Sequence, residues 1–218
     1  PSNVVSKFQK AVASGNKGQL VDILYCSDSR LKMDEKSVTP LLNYFKDNHS
    51  YLNDVVSQLN NEAARSDGNL NFNSKGKFDI VYAGKKYLFF KDYKIGIKPS
   101  FITVKTGIKD VQFSLNDTQI AKSDSKDFSK QLGPFIPGKY KLNADYKNSY
   151  ESLNESHDID FMNSNEDSEN IEVFKDVSYV NINSDYSDAE VFLNNKDTGV
   201  KAKNANNFGP LAANSVVY

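Results

Sequence analysis

One short β-pattern occurs twice in this chain, and the nearly constant distance between its copies restricts the fold more than any other feature. Leu115-Asn116-Asp117 is echoed by Leu193-Asn194-Asn195 at an offset of 78 residues, and Gly133-Pro134-Phe135 by Gly209-Pro210-Leu211 at 76; Val180 stands 76 after Val104. A repeat at fixed period means one supersecondary unit used in tandem. Read in order, the unit is an outgoing strand in FSLND (113–117) that ends on a polar Asn-Asp turn, then a variable excursion. A Pro-Gly turn in GPFIPGKYKL (133–142) then launches a returning strand.

Upstream of the repeats the pattern is helical. Val4, Phe8 and Val12 share one face, with Ser14-Gly15-Asn16 as a stop, and Leu20, Ile23 and Leu24 make a short second helix. Val38, Leu41, Leu42 and Phe45 make a third, with Ser37 as its N-cap and Pro40 in the first turn, where a missing N–H costs little. Leu52, Val55, Val56 and Leu59 make a fourth. Four such helices can bury one another's apolar stripes; a partner-binding groove is the functional alternative. Residues 60–69 turn polar, with Ser66-Asp67-Gly68 as a breaker. Phe78, Ile80 and Tyr82 then alternate along a strand, Gly84-Lys85 reads as a tight turn, and 87–95 as the return strand, with alternation ending at Pro99.

These patterns predict an α+β multidomain chain: an N-terminal helical domain with a β-hairpin over residues 1–98, followed by tandem small all-β modules of Ig-like sandwich type. The first module covers 99–175, with strands at 101–105, 111–115, 140–144, 158–161 and 171–174; the second, 176–218, is incomplete. At the 76-residue offset Tyr218 corresponds to Leu142, and the chain starts at Pro1 without an initiator Met, so the expectation is a piece of a longer protein.

Composition excludes more than it assigns. The 27 basic and 28 acidic residues are interspersed, which gives no electrostatic footprint for nucleic acid and no polybasic membrane patch. No apolar run approaches the roughly 20 residues that span a bilayer. Cys26, the single cysteine, rules out an intrachain disulfide and reads as a small buried hydrophobe at a helix end. The acidic run 163–170 lacks the glycine and ligand order of a calcium loop and reads as a solvated hairpin loop. His157 and Asp158 point to opposite faces of a strand, so with Asp160 they make no metal site. No phosphate loop, G-x-S-x-G, H-E-x-x-H or C-x-x-C is present, so the chain carries no recognisable catalytic, cofactor or metal residues and is expected not to be an enzyme. Tyr140, Tyr146 and Tyr150 are the one binding candidate, because Tyr rings stack on sugars and suit interfaces. Of these, Tyr146 and Tyr150 are the ligand-contact candidates; the alternative puts Tyr140 in the core and packs the other two at the module edge.

Three segments carry a family resemblance: SVTPLLNYFKDNHSYLNDVVSQL (37–59), GKKYLFFKDYKI (84–95) and GPFIPGKYKL (133–142). In order and spacing they resemble the TcaA family of staphylococcal membrane proteins associated with teicoplanin resistance, and FIPGKY is similar to PEGA-type surface modules. The resemblance implies a cytoplasmic zinc ribbon, one transmembrane helix lying outside this sequence, a helical second domain with a hairpin, two β-modules and an NTF2-like terminal domain. This chain would be the second domain, the third and part of the fourth, extracellular in a single-pass Gram-positive membrane protein. The implied role is in envelope organisation and the response to glycopeptide antibiotics, with peptidoglycan, wall teichoic acid or an envelope protein as partner and no catalytic residue to carry over. A glycan- or glycopeptide-binding receptor, or an envelope-acting enzyme, is the alternative from another class.

Overall fold

Helix α1 (Ser2–Ser14) buries Val4, Val5, Phe8, Ala11 and Val12 along one stripe, as its apolar spacing dictates. It stops at Gly15, whose φ of 69° is left-handed, and Asn16 then caps α2 (Lys17–Ile23) by accepting the Gln19 N–H at 2.9 Å. The computed structural model describes residues 1–65, 76–86, 90–163 and 167–218. Leu24 does not extend α2; it opens the two-residue strand β1 (Leu24–Tyr25). Helix α3 (Thr39–Asp47) carries Pro40 in its first turn, but Ser37 is not its cap: Ser37 Oγ accepts the Asp34 N–H at 2.9 Å in a turn of its own. Helix α4 (His49–Arg65) buries Leu52, Val55, Val56 and Leu59 and runs on through the polar 60–65, where Glu62 accepts the Ile80 N–H at 3.2 Å. The tertiary bond outweighs the polar composition there. The breaker at 66–68 lies outside the described residues.

Strands β2 (Phe78–Lys86) and β3 (Phe90–Ile97) pair antiparallel, and β1 lies parallel to β3, giving the order β1-β3-β2. Gly84-Lys85 is not the turn. It lies inside β2, at a register shift after Tyr82, and the 87–89 part of the expected return strand lies outside the described residues.

The first repeat contains β4 (Ser100–Thr106), β5 (Gln112–Leu115), β6 (Thr118–Lys122), β7 (Phe128–Phe135), β8 (Lys139–Lys147), β9 (Ser152–Asp160) and β10 (Ser168–Val173). The variable excursion between the two sequence landmarks therefore contains two strands, β6 and β7. Sheet orders are β10-β4-β7 and β6-β5-β8-β9. The second repeat contains β11 (Ser178–Val180), β12 (Glu190–Leu193), β13 (Lys196–Lys201) and β14 (Phe208–Leu211).

The repeats match in geometry. Asn116 and Asp117 have φ of 45° and 62°, Asn194 and Asn195 of 50° and 66°, so both hairpins close with two left-handed residues, as a type I′ turn requires. Each leading Asn also bonds a third segment: Asn116 Oδ1 accepts the Lys141 N–H of β8 at 2.8 Å, and Asn194 Oδ1 the Val216 N–H, next to an isolated bridge at Val217, at 2.9 Å. Leu115 faces Leu142 and Leu193 faces Val217, so the counterpart of Leu142 is Val217 and Tyr218 matches Asn143, one residue from the simple offset. Gly133 and Gly209 hold φ of 123° and 154°, and both lie in Gly-Pro peptide bonds that are cis. A Cβ on Gly133 would stand 2.9 Å from the Ser100 carbonyl and the Phe101 ring; on Gly209, 2.6 Å from the Ser178 carbonyl and 2.8 Å from the Tyr179 ring. Only glycine fits either place.

The chain divides into two compact units. One comprises Pro1–Ile102, Gly133–Tyr140 and Ile159–Glu169. Its core centres on Phe8, Phe45 and Phe78, with ring centroids 5.7–6.3 Å apart, and takes in Ile136 and Met162 from late in the chain. Cys26, half-buried, packs against it, and burial pushes its thiol up. The other unit comprises Thr103–Leu132, Lys141–Asp158 and Asn170–Tyr218. It holds the stacked pair Phe113–Phe128 and, in the second repeat, a cluster of Val191, Leu193, Ala205, Phe208 and Leu211. No described helix is long and apolar enough to cross a membrane.

Candidate functional site

The three candidate tyrosines all lie on or just after β8 but have different surroundings. Tyr140 is structural. Its hydroxyl donates to the Ile136 carbonyl at 2.6 Å, closing the Pro-Gly turn, and its ring packs on Phe135 and Phe161 at 6.0 and 5.7 Å. Burial holds its phenol well above the ordinary range.

Tyr146 and Tyr150 flank a loop that Asn148 builds. Asn148 Oδ1 accepts the backbone N–H groups of Tyr150 at 2.9 Å and Glu151 at 2.6 Å, and Asn148 Nδ2 donates to the Tyr146 hydroxyl at 3.1 Å. A short polar side chain that bonds its own backbone two and three residues on is a ready-made turn. Burial pushes the Tyr146 phenol up; the Asn148 bond works against this, and Tyr150, Asp110 and Glu151 add to it.

Tyr150 reaches the second repeat. Its ring stacks on Phe208 with centroids 4.6 Å apart and planes 22° from parallel, and its hydroxyl donates to the Gly209 carbonyl at 2.9 Å. Next to it Glu151 Oε2 accepts the Ala212 N–H at 3.3 Å. Tyr179 has a lysine over its ring, Lys126 Nζ at 5.5 Å from the centroid, and its phenol is pushed up by burial first and by Tyr146 and Tyr150 second. Sequence reading missed Phe208, Tyr179 and Asn148. The signal for Phe208 was in hand, since it immediately precedes the repeated Gly-Pro; the signal for Asn148 was the Asn-Ser pair between two tyrosines.

Beside this loop lies a groove of about 350 Å³. One wall is residues 147–152; the other is Leu193, Asn194, Lys196 and Asp197 at the β12–β13 turn. Lys147 and Lys196 are balanced by Glu151 and Asp197, and Tyr150 is the aromatic group in the lining. Two other depressions lie elsewhere; the first has no aromatic residue in its lining, and the second has Tyr93. One, on β5, β8 and β9, is lined by Ser114, Asp117, Asn143, Asp145, Asn154 and Ser156, several already bonded to one another. The other lies among Lys7, Asp22, Lys91, Asp92 and Lys94.

Of the charged groups weighed as ligands, those in the acidic run are placed differently from expectation. Asp167, in the acidic run, is not a solvated loop residue: Lys77 and Lys98 pair with it at 3.1 and 2.5 Å, and its carbonyl accepts the Phe101 N–H at 2.7 Å. Residues 168–170 of that run open β10, and 164–166 lie outside the described residues. His157 pairs with Glu155, two residues back on the same strand face, at 2.6 Å, and Asp160 accepts the N–H groups of Met162 and Asn163. Among the described residues no group of three His, Cys, Asp or Glu side chains is placed to hold a metal ion.

Two family models match: the TcaA protein second domain over residues 1–97, and the TcaA protein third/fourth domain over 176–218. The chain is also 30% identical over 159 residues to the uncharacterized membrane protein YvbJ of Bacillus subtilis (strain 168). That match covers 72% of this chain and 24% of YvbJ, so the chain spans about a quarter of the relative's length. No solved structure matches it.

Proposed function

Since the chain belongs to the TcaA family of membrane proteins, we propose that it is a non-catalytic, extracellular spacer and binding platform that engages a cell-wall polymer in a Gram-positive envelope. The family matches support a membrane-associated protein of the TcaA and YvbJ type. The envelope role, the link to glycopeptide antibiotics and the single-pass placement are the proposal. The observation that carries the platform reading is the groove beside Tyr150. It is concave, polar and neutral, with one aromatic residue, and the Lys147 and Lys196 ammonium groups and the Asp197 carboxylate can each bond a hydroxyl.

The test is binding of the protein to intact Gram-positive sacculi, with and without teichoic acid, and with teicoplanin as a soluble competitor. Saturable binding that Tyr150→Ala weakens is expected. No binding to either kind of sacculus would reduce the chain to a spacer.

A further inference from the structure

We propose that Tyr150 is the latch of the joint between the two repeats, and that the groove beside it is a composite site for an uncharged glycan, assembled only while that latch is closed. The latch follows from the contacts alone; the ligand class rests on the wall-platform reading above.

The joint is built from both sides. Tyr150 belongs to the loop after β8 of the first repeat, whereas Phe208 and Gly209, which take its ring and its hydroxyl, belong to β14 of the second. Phe208 is itself a core residue of the second repeat, so the stack fastens the loop to the buried cluster of that repeat. The loop is equally fixed from behind, because Asn148 occupies the N–H groups of Tyr150 and Glu151. Glu151 adds a bond to Ala212, and Lys126 lies over Tyr179 as a second contact across the joint. The connection between β10 and β11 is only residues 174–177, and its first residue is anchored: Phe174 is buried, with φ of 57°, and donates its N–H to Glu155 Oε2 at 2.7 Å. A short tether with a docked side chain at one end leaves few arrangements for the second repeat.

The groove takes one wall from each repeat, residues 147–152 and the 193–197 turn. A ligand touching both therefore binds the latched state and not the open one, so it must favour latching, and latching must favour it by the same factor. The lining selects the ligand class. Lys147 and Lys196 face a lining that also holds Glu151 and Asp197, so a polyanion gains two attractions and meets two repulsions. A neutral sugar with hydroxyl and N-acetyl groups meets the donors Lys147 and Lys196 and the acceptors Glu151 and Asp197, and a volume of about 350 Å³ suits a short stretch of chain.

The test uses the whole chain with Cys26→Ser and spin labels at Lys130→Cys and Asp185→Cys, one exposed position in each repeat. Inter-label distances are measured by pulsed electron resonance, and binding is titrated with the tetramer of N-acetylglucosamine and, separately, with poly(glycerol phosphate). A narrow distance distribution is expected without ligand; Tyr150→Ala broadens it, while Tyr150→Phe, which keeps the stack and loses only the bond to Gly209, broadens it less. The sugar tetramer is expected to bind, to lose at least tenfold in Tyr150→Ala, and to keep its affinity from low to high salt. A distribution that stays narrow in Tyr150→Ala overturns the latch. Equal sugar affinity in wild type and Tyr150→Ala overturns the composite site. No sugar binding, or tighter and salt-sensitive binding of the polyphosphate, overturns the ligand class. Failure of the wall reading shows separately, as absence of sacculus binding beside an intact Tyr150-dependent distance.

Discussion

Asn148 spends its whole side chain inside one loop, and that makes it the residue whose loss should be felt most widely for its size. Both of its amide groups are bonded, and the two N–H groups it accepts from belong to the residues that reach the second repeat. Asn148→Ala leaves those N–H groups without their partner at a half-buried place, an effect of about 1–3 kcal/mol. Urea unfolding followed by circular dichroism should report that loss, with Ser149→Ala in the same loop near neutral. Asp167 makes a different kind of prediction. Burial raises its carboxyl, but the Lys98 and Lys77 hydrogen bonds outweigh burial and hold it below the ordinary value. A carboxyl whose folded pKa lies below its unfolded one contributes stability above the unfolded value, and that contribution is lost as pH falls through the folded value. Wild type should therefore be more stable than Asp167→Asn at neutral pH, with the difference closing from about pH 5 downward. A difference that stays constant down to pH 2 would show that the two lysines do not act through the carboxylate's charge.

At the scale of elements, the two-residue hairpin turns and the Gly-Pro strands are what make the halves of this chain alike. Asn-Asp and Asn-Asn were readable as turns because few other residues accept two successive left-handed conformations. The intervening β6 and β7 were not readable: TQIAK is polar and short, and FSKQLGPF has three exposed residues in a row after Phe128, so neither shows clean alternation. Their partners decide them, β6 by pairing with β5 and β7 by pairing with β4. The turn expected at Gly84-Lys85 failed for the converse reason, since cross-strand pairing to Lys91 and Asp92 continues through it. The glycines of the Gly-Pro strands give the test. Gly133→Ala and Gly209→Ala each add a Cβ to a left-handed backbone against a carbonyl oxygen and a ring, and each should lose more than the roughly 1–3 kcal/mol of backbone strain alone. Gly209, with the closer carbonyl, should lose more, measured as the shift in denaturation midpoint.

For the whole molecule, the helices and the first hairpin do not close their core by themselves. Ile136, 1% exposed, and Met162, 4% exposed, come from beyond residue 98 and complete the cluster around Phe8, Phe45 and Phe78. Burying two such side chains is worth about 3–6 kcal/mol in all, so an isolated 1–98 piece should melt well below the same residues in the full chain and bind a dye for exposed apolar surface. Equal melting would mean that the two side chains are dispensable to the core. The sequence by itself determined the α+β class, the helical stripes with their core residues, and the tandem repeat with its two turns, because period and turn chemistry are local and need only neighbours in the chain. It also supplied the residues that mark the TcaA family. Only the tertiary structure decided that Tyr140 closes a turn while Tyr150 crosses to Phe208, that Asp167 is paired with two lysines, and that the groove has one wall from each repeat. Those outcomes depend on residues brought together from tens of positions apart, and no spacing within one strand encodes which of three tyrosines will meet a partner from the next repeat.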